Sequence, residues 1–295
     1  MNRSFGKRLV LTTLLSLPFI FYGIPHWLRP TGNESRSLFQ GIDYRREVRS
    51  VPRPLVIHTV AIDLTAPGIK VLVTPGNAIE NTETNAKTTS EFLQAFKLQL
   101  AVNANFFWYF REKTPWDYFP KSGDRVNTVG QSISNGVAYS EAEPDWSVLC
   151  FSTAHRASIV RAGTCPIGTR QAVAGSTTLV EGGERLATGQ DTADSKGLYS
   201  RTVVAVDRLG EKLWIIALDD KQPLYSEGVT LDEMTDLVME LGADAAVNLD
   251  GGGSTTLVSE TRSGVKVLNA PIHTKVPMRE RPVANHLGFY ANPSQ

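Results

Sequence analysis

One stretch constrains this chain more than any other: a helix signal, a short buried-strand signal, and then Asn248-Leu249-Asp250-Gly251-Gly252-Gly253-Ser254-Thr255-Thr256. Thr230-Leu231-Asp232-Glu233 has the form of a capping box, in which the Thr230 oxygen serves an early helical N–H and Glu233 reaches back. Leu231, Met234, Leu237, Val238 and Leu241 then recur at helical spacing, and Gly242 ends the run. Ala245 to Leu249 is short, apolar and bounded by turn residues, which predicts a buried strand. Asp250 therefore falls at the carboxyl end of that strand, where open sheets place their ligands. Three consecutive glycines cost conformational entropy on folding, so a turn built from them needs a compensating reason.

The rest of the folded part reads as strands and helices mixed, with many hairpins. Leu55–Leu64 and Ile69–Val73 are strands separated by Ala66-Pro67-Gly68, and they are expected to form a hairpin. Thr88-Thr89-Ser90 caps a helix over Glu91–Phe96, which leads into a strand ending at Asn103. Thr202–Asp207 and Lys212–Asp219 flank Arg208-Leu209-Gly210-Glu211 as an antiparallel hairpin, expected to bring Arg201 and Asp219 near each other across the strands. Leu257–Ser259 pairs with Val265–Leu268, and the last strand is His286–Tyr290. Between Trp108 and Gln131 the chain is aromatic and irregular, a kind of loop that is often functional. The fold class is α+β: one domain over residues 51–295, of mixed, mostly antiparallel β-sheet packed with helices. Residues 31–50 are polar and charged and read as a linker.

The N-terminus differs in kind. Arg3, Lys7 and Arg8 precede an uncharged run from Leu9 to Leu28, the pattern of a signal peptide. The run also matches the ~20 residues of a membrane span, so residues 1–30 are a signal peptide or an uncleaved membrane anchor. In both cases the domain is exported: periplasmic, secreted, or membrane-anchored outside the cytoplasm. Cys150 and Cys165, the only cysteines, suit such an oxidising compartment; they are either bridged or two unpaired thiols. The 30 basic and 30 acidic residues balance, which disfavours nucleic acid as a partner.

Familiar chemistries are absent from the glycine run. No lysine follows as a P-loop requires, the spacing is not that of a dinucleotide fingerprint, and Ser254 lies after the glycines rather than between them. His26, His58, His155, His273 and His286 are scattered, so each reads as structural. No cofactor is called for, and a divalent metal is left open. What remains is a set of polar residues at strand ends: Asn103, Asn105, Arg201, Asp219, Thr230, Asp250, Ser254, Thr255, Arg281 and Asn285. Amides, hydroxyls and carboxylates suit a sugar, and the planar fork of arginine suits a phosphate. A plainer account exists for each: Asp250 caps its own turn, the arginines pair with Asp207, Glu280 or Asp219, Ser254 and Thr255 shape the turn, and Phe106 and Phe107 sit in the core.

Several blocks together carry a resemblance: Thr88-Thr89-Ser90-Glu91-Phe92, Asn103-Ala104-Asn105-Phe106-Phe107, Ser200-Arg201-Thr202, Ser226 to Leu231, Asn248 to Thr255, Asn269-Ala270-Pro271, and Arg281-Pro282-Val283-Ala284-Asn285. In that order they resemble the phosphodiester glycosidases. That family usually shows Asn-Gly-Gly-Phe-Phe, Pro-Arg-Thr and Asp-Gly-Arg, where this chain has Ala104-Asn105, Ser200 and Asp219-Asp220-Lys221. The resemblance implies hydrolysis of a glycosyl phosphodiester to a free sugar and a phosphomonoester, in exopolysaccharide or cell-envelope glycan metabolism. It suggests catalytic roles for Asp250, Arg201, Asp219 and Asn103. Asn105, Thr230, Gly251, Gly252, Gly253, Ser254, Thr255, Arg281 and Asn285 would then bind substrate. The other class of reading is an envelope protein that binds polysaccharide without cleaving it.

Overall fold

The structure, a computed structural model, describes residues 23–77, 83–161, 163–186 and 196–294. Most of the expected signal or anchor lies outside the described residues. Its tail, Ile24–Leu28, is a single helical turn. Among the described residues no helix is long and apolar enough to cross a membrane.

Alternation of side chains decides the architecture. In the hairpin of Arg201–Val206 with Lys212–Leu218, Val204, Val206, Leu213 and Ile215 face one core. Val203, Ala205, Trp214, Ile216 and Leu218 face another. A strand buried on both faces needs apolar residues at every position, and fully burying each large side chain contributes roughly 1.5–3 kcal/mol. This hairpin lies within an eight-stranded sheet that also holds Leu55–Asp63 on one side and Ala245–Asn248 on the other. The second core receives Leu231, Met234 and Val238 from the helix Leu231–Glu240. The first is closed by two five-stranded sheets. One is built around Leu100–Asn103, which presents Leu100 and Val102 inward, and the other around Ser147–Phe151 and Gln171–Gly175. Ala101 faces away, towards Phe92 and Leu93 of the helix Thr89–Phe96. The order of layers is helix, sheet, sheets, helix.

All the ladders among these strands are antiparallel, so the mostly antiparallel expectation agrees with the structure, while helices supply only the two outer layers. Both capping boxes form, Thr88 with Glu91 and Thr230 with Glu233. Cys150 and Cys165 are joined in a disulfide.

Three expectations need correction. Leu55–Asp63 and Lys70–Val73 are not a hairpin: the first pairs with Ile42–Arg49 and Lys212–Leu218, the second with His286–Tyr290 in another sheet. The turn between them is a crossing from one layer to the next. Second, residues 31–50 are not a linker, because Glu34–Phe39 and Ile42–Arg49 extend the large sheet and bury Ile42 and Tyr44. Third, Leu218 stands opposite Arg201, so Asp219 comes one residue later, and successive side chains along a strand take opposite faces.

Candidate active site

The Asp250 turn sits where the two layers of sheet are stitched together. Leu249 N–H donates to Thr202 O (2.8 Å), and Gly252 N–H to Ser200 O (2.9 Å), which ties the turn to the large sheet. On its other side Asp250 N–H donates to Ala104 O (3.0 Å), tying it to the strand Leu100–Asn103. The close approach explains two of the glycines. A Cβ on Gly251 would lie 2.6 Å from Ser200 O, and one on Gly253 would lie 2.5 Å from Arg281 Nη2 and 2.9 Å from Ile272 O. Gly252, at φ +58°, opens the 3-10 turn Gly252–Ser254.

Asp250 is buried, and that burial pushes its carboxyl up to about 6. The Ser254 hydroxyl, the Arg281 charge and the Gly251 N–H offset part of the effect. The Arg281 guanidinium is held on every edge. Its Nη1 donates to Ser254 Oγ (3.2 Å), its Nη2 to Glu112 Oε2 (2.9 Å), and its Nε to His273 Nδ1 (3.3 Å). Phe110 lies under it, with Cζ 4.3 Å from the ring centroid. Burial and the charges of Arg281 and Arg279 push His273 down to about 3, so the ring is neutral. With Nδ1 accepting from Arg281, its proton is on Nε2. Although Glu112 comes within 3.5 Å of Nδ1, a neutral ring makes no ion pair with it. Arg201 is buried at the start of its strand with its backbone Cα against Gly251, while its guanidinium donates to Gly197 O (3.3 Å) and lies 5.2 Å from the Tyr199 ring.

The other residues singled out from sequence are turned towards protein partners. Asn103 donates to Asp250 O (2.6 Å) and accepts from Thr202 Oγ1 and Thr256 N–H (both 3.0 Å). It holds the turn through the backbone. Asn105 accepts from Ala174 N–H (3.0 Å) and Asn285 Nδ2 (3.2 Å), and donates to Ser132 Oγ (3.1 Å). Thr255 Oγ1 is hydrogen-bonded to Thr202 Oγ1 (3.2 Å), which accepts there while its own proton goes to Asn103, and Thr230 is spent as the helix cap. Asp219 is buried and saturated: it accepts from Asn269 Nδ2 (3.0 Å), Ala270 N–H (3.0 Å) and His58 Nε2 (3.1 Å). The geometry thus gathers Asp250, Ser254, Arg281 and the glycines, with the backbone of Arg201 against the turn and its side chain directed to Gly197 and Tyr199. Asn103, Asn105, Asn285, Thr255 and Asp219 form the hydrogen-bonded support beneath.

Glu112, Phe110 and His273 escaped the sequence reading. The first two lie in the irregular aromatic segment, whose length and aromatic content mark the segment but not these positions, and a lone histidine gives no signal. Phe107 is in the core, as its plainer account held, and Phe106 packs edge-on against Trp146. A cavity of about 310 Å³ lined by Lys70, His155 and Arg170 shares no residue with this turn. It lies at the other end of the His286–Tyr290 strand, where Lys70 faces Tyr290 and Asn103 faces His286. Among the described residues no three metal-ligating side chains converge.

A sequence model of the phosphodiester glycosidases matches residues 96–290. The chain belongs to the phosphodiester glycosidase family. Among solved structures it is similar to the catalytic domain of zebrafish N-acetylglucosamine-1-phosphodiester alpha-N-acetylglucosaminidase, a structure auto-inhibited by its pro-peptide. That likeness has a TM-score of 0.60 at 15% identity and covers 92% of this chain and 93% of that one. A candidate exported protein from Burkholderia pseudomallei matches with a TM-score of 0.59 at 15% identity, over 80% of this chain and 74% of the other. A hypothetical protein from Synechocystis matches at 0.60 and 15% identity over 89% of this chain, which spans 64% of that protein. At such identities the likeness is one of fold. No curated protein matches by sequence. The glycine turn and both arginines fall inside the matched residues.

Proposed function

We propose that this phosphodiester glycosidase is an exported hydrolase that cleaves a glycosyl phosphodiester to a free sugar and a phosphomonoester. The observation that carries the reading is the buried carboxylate of Asp250 at a glycine turn that also holds Ser254 against the Arg281 fork, an environment whose burial raises the carboxyl to about 6. A carboxyl in that range is ionised at neutral pH yet more basic than an exposed aspartate, which suits proton abstraction or attack. Arg281 holds the anionic diester, and Arg201, whose backbone abuts the turn, would have to swing its guanidinium from Gly197 and Tyr199 to join it. Asp250 then either takes a proton from water as that water attacks the anomeric carbon, or attacks that carbon itself to give a glycosyl ester that water afterwards hydrolyses, freeing the sugar and the carboxylate. The carbon–oxygen bond to phosphate breaks, and its electron pair leaves on the phosphomonoester. That leaving group is already good, so a second carboxylic acid to protonate it is less necessary than in ordinary glycosidases. The saturated state of Asp219 fits a site with one working carboxylate, and in this reading Asp219 and Asn103 position the turn. The disulfide, the charged-then-apolar N-terminus and the likeness to a candidate exported protein support a place outside the cytoplasm.

Incubating the purified protein with a panel of glycosyl phosphodiesters, with and without chelator, tests the reading. Equimolar sugar and phosphomonoester are expected, lost in Asp250→Asn. Retained anomeric configuration would identify Asp250 as nucleophile and inversion as base. Binding of the diesters without any turnover would overturn hydrolysis in favour of a glycan-binding protein.

A further inference from the structure

The phosphate-holding arginine is joined to a feature with no part in bond cleavage. Between Phe107 and Phe119 the chain forms an arm whose strands Arg111–Glu112 and Tyr118–Phe119 pair with each other. Four aromatic side chains stand out from it into solvent: Trp108 (68% exposed), Tyr109 (47%), Phe110 (37%) and Trp116 (78%). Among the described residues Trp27 is the only other large aromatic so exposed; it shares the helical turn Ile24–Leu28 with the exposed Ile24 and Leu28, while Val137, Ile167 and Leu224 are aliphatic and far apart in sequence. Single exposed apolar residues are ordinary, whereas a contiguous patch marks an interaction site.

The arm is fixed rather than loose. Lys113 N–H donates to Asp117 O (3.0 Å), and Arg111 pairs with Asp117 (2.8 Å). Arg279 anchors it from below, donating to Pro115 O (2.8 Å) and Tyr118 OH (2.9 Å). Its inner end is the site itself, because Phe110 underlies the Arg281 guanidinium and Glu112 accepts from it. A diester held by Arg281 would therefore place whatever it carries next to a run of exposed rings. Rings set in a polar rim of Arg111, Lys113 and Thr114 match the apolar C–H faces and the hydroxyl edges of a sugar chain.

We infer that this arm is a glycan platform, and that the natural substrate is a diester bearing an oligosaccharide or polysaccharide chain laid along Trp108 and Trp116 rather than a small glycosyl phosphate. This rests on the reading of the Asp250 site as a phosphodiester glycosidase. The Trp108→Ala/Trp116→Ala protein tests it with two substrates, a monosaccharide phosphodiester and one carrying an oligosaccharide. Loss of each ring–sugar contact is worth about two- to tenfold, so kcat/KM for the chain-bearing substrate should fall about 5- to 100-fold more than for the small one. The Trp108→Tyr/Trp116→Tyr protein should recover most of that difference. An equal fall for both substrates, or no fall, overturns the platform. If the parent cleaves neither substrate, the hydrolase reading fails by itself. The platform is then judged by tryptophan quenching with the oligosaccharide alone: quenching in the parent that disappears in the double variant supports it, and equal or absent quenching overturns it. Binding of phospholipid vesicles that depends on the two tryptophans, with no glycan effect, would assign the arm to a membrane and also overturn it.

Discussion

Replacing Asp250 by asparagine should remove activity and, at neutral pH, make the protein more stable. The carboxyl has an ordinary value of 3.8 and sits at about 6 in the fold, chiefly through burial. Because the folded value lies above the unfolded one, the native state binds that proton more tightly. The stability gained is complete below about pH 4 and lost as the pH rises through about 6. Each factor of ten in proton affinity is worth about 1.4 kcal/mol, so the gap corresponds to an order-of-magnitude penalty of about 3 kcal/mol at pH 7. Asparagine keeps an oxygen to accept from Ser254 and Gly251 but never ionises. The advantage of Asp250→Asn should therefore be small at pH 4 and reach about 3 kcal/mol by pH 7 to 8, or roughly 6 to 12 °C in Tm for a domain of this size. Thermal or urea melts of both proteins across pH 4 to 8 measure it. If Asp250 is the base or nucleophile proposed above, kcat/KM of the parent should rise with pH around a midpoint of about 6. A stability difference that does not vary with pH, or a rising limb centred near pH 4, would refute the argument that burial sets the working state of this carboxylate.

Three further outcomes follow from the same geometry. Gly253→Ala puts a methyl group against the Arg281 fork and Ile272 O, so kcat/KM should fall about 100-fold through misplacement of the arginine, for a stability cost of about 1–3 kcal/mol read from urea melts. Asp219→Ala leaves the buried donors of Asn269, Ala270 and His58 without an acceptor and should cost about 3 kcal/mol or more in the same melts. Reducing the Cys150–Cys165 bridge opens a loop of sequence separation 15 and should lower stability by about 3 kcal/mol, visible as a lower Tm in dithiothreitol.

Local signals were legible in the sequence and layer-to-layer partners were not. Both capping boxes and the strands leading to Asn103 and Asn248 could be read because each depends on residues a few positions apart. The strand Ile42–Arg49 was hidden by one residue. Ile42 and Tyr44 alternate inward as a strand should, but the next inward position is Arg46. That arginine is buried because Glu34 pairs with it at 2.9 Å and the carbonyls of Thr31 and Gly32 accept from it at 2.7 Å. No periodicity of apolar residues shows such a position. The mistaken hairpin has a related cause: strands buried on both faces carry no mark of which sheet they join.

At the site, position along a strand identified the polar residues but not the direction each one faces. Asn103, Asn105, Asp219 and Asn285 have the composition of a sugar site, and the structure gives each of them a protein donor or acceptor. Their partners come from the opposite layer: Asn103 binds a turn that follows the large sheet, and Asp219 binds Asn269 and Ala270 beyond the small one. The arrangement has a physical logic. A charged carboxylate is costly to bury, so Asp250 can be held near 6 only by a turn that does not relax around it. Amide and carboxylate side chains bonded to that turn and its neighbours supply the rigidity, while Ser254 and Arg281 supply the polarity. Loss of activity on substituting Asn103 or Asp219 would thus arise from a loosened turn. It should appear together with a lowered Tm, whereas substitution of Asp250 should separate the two, with activity falling as stability rises.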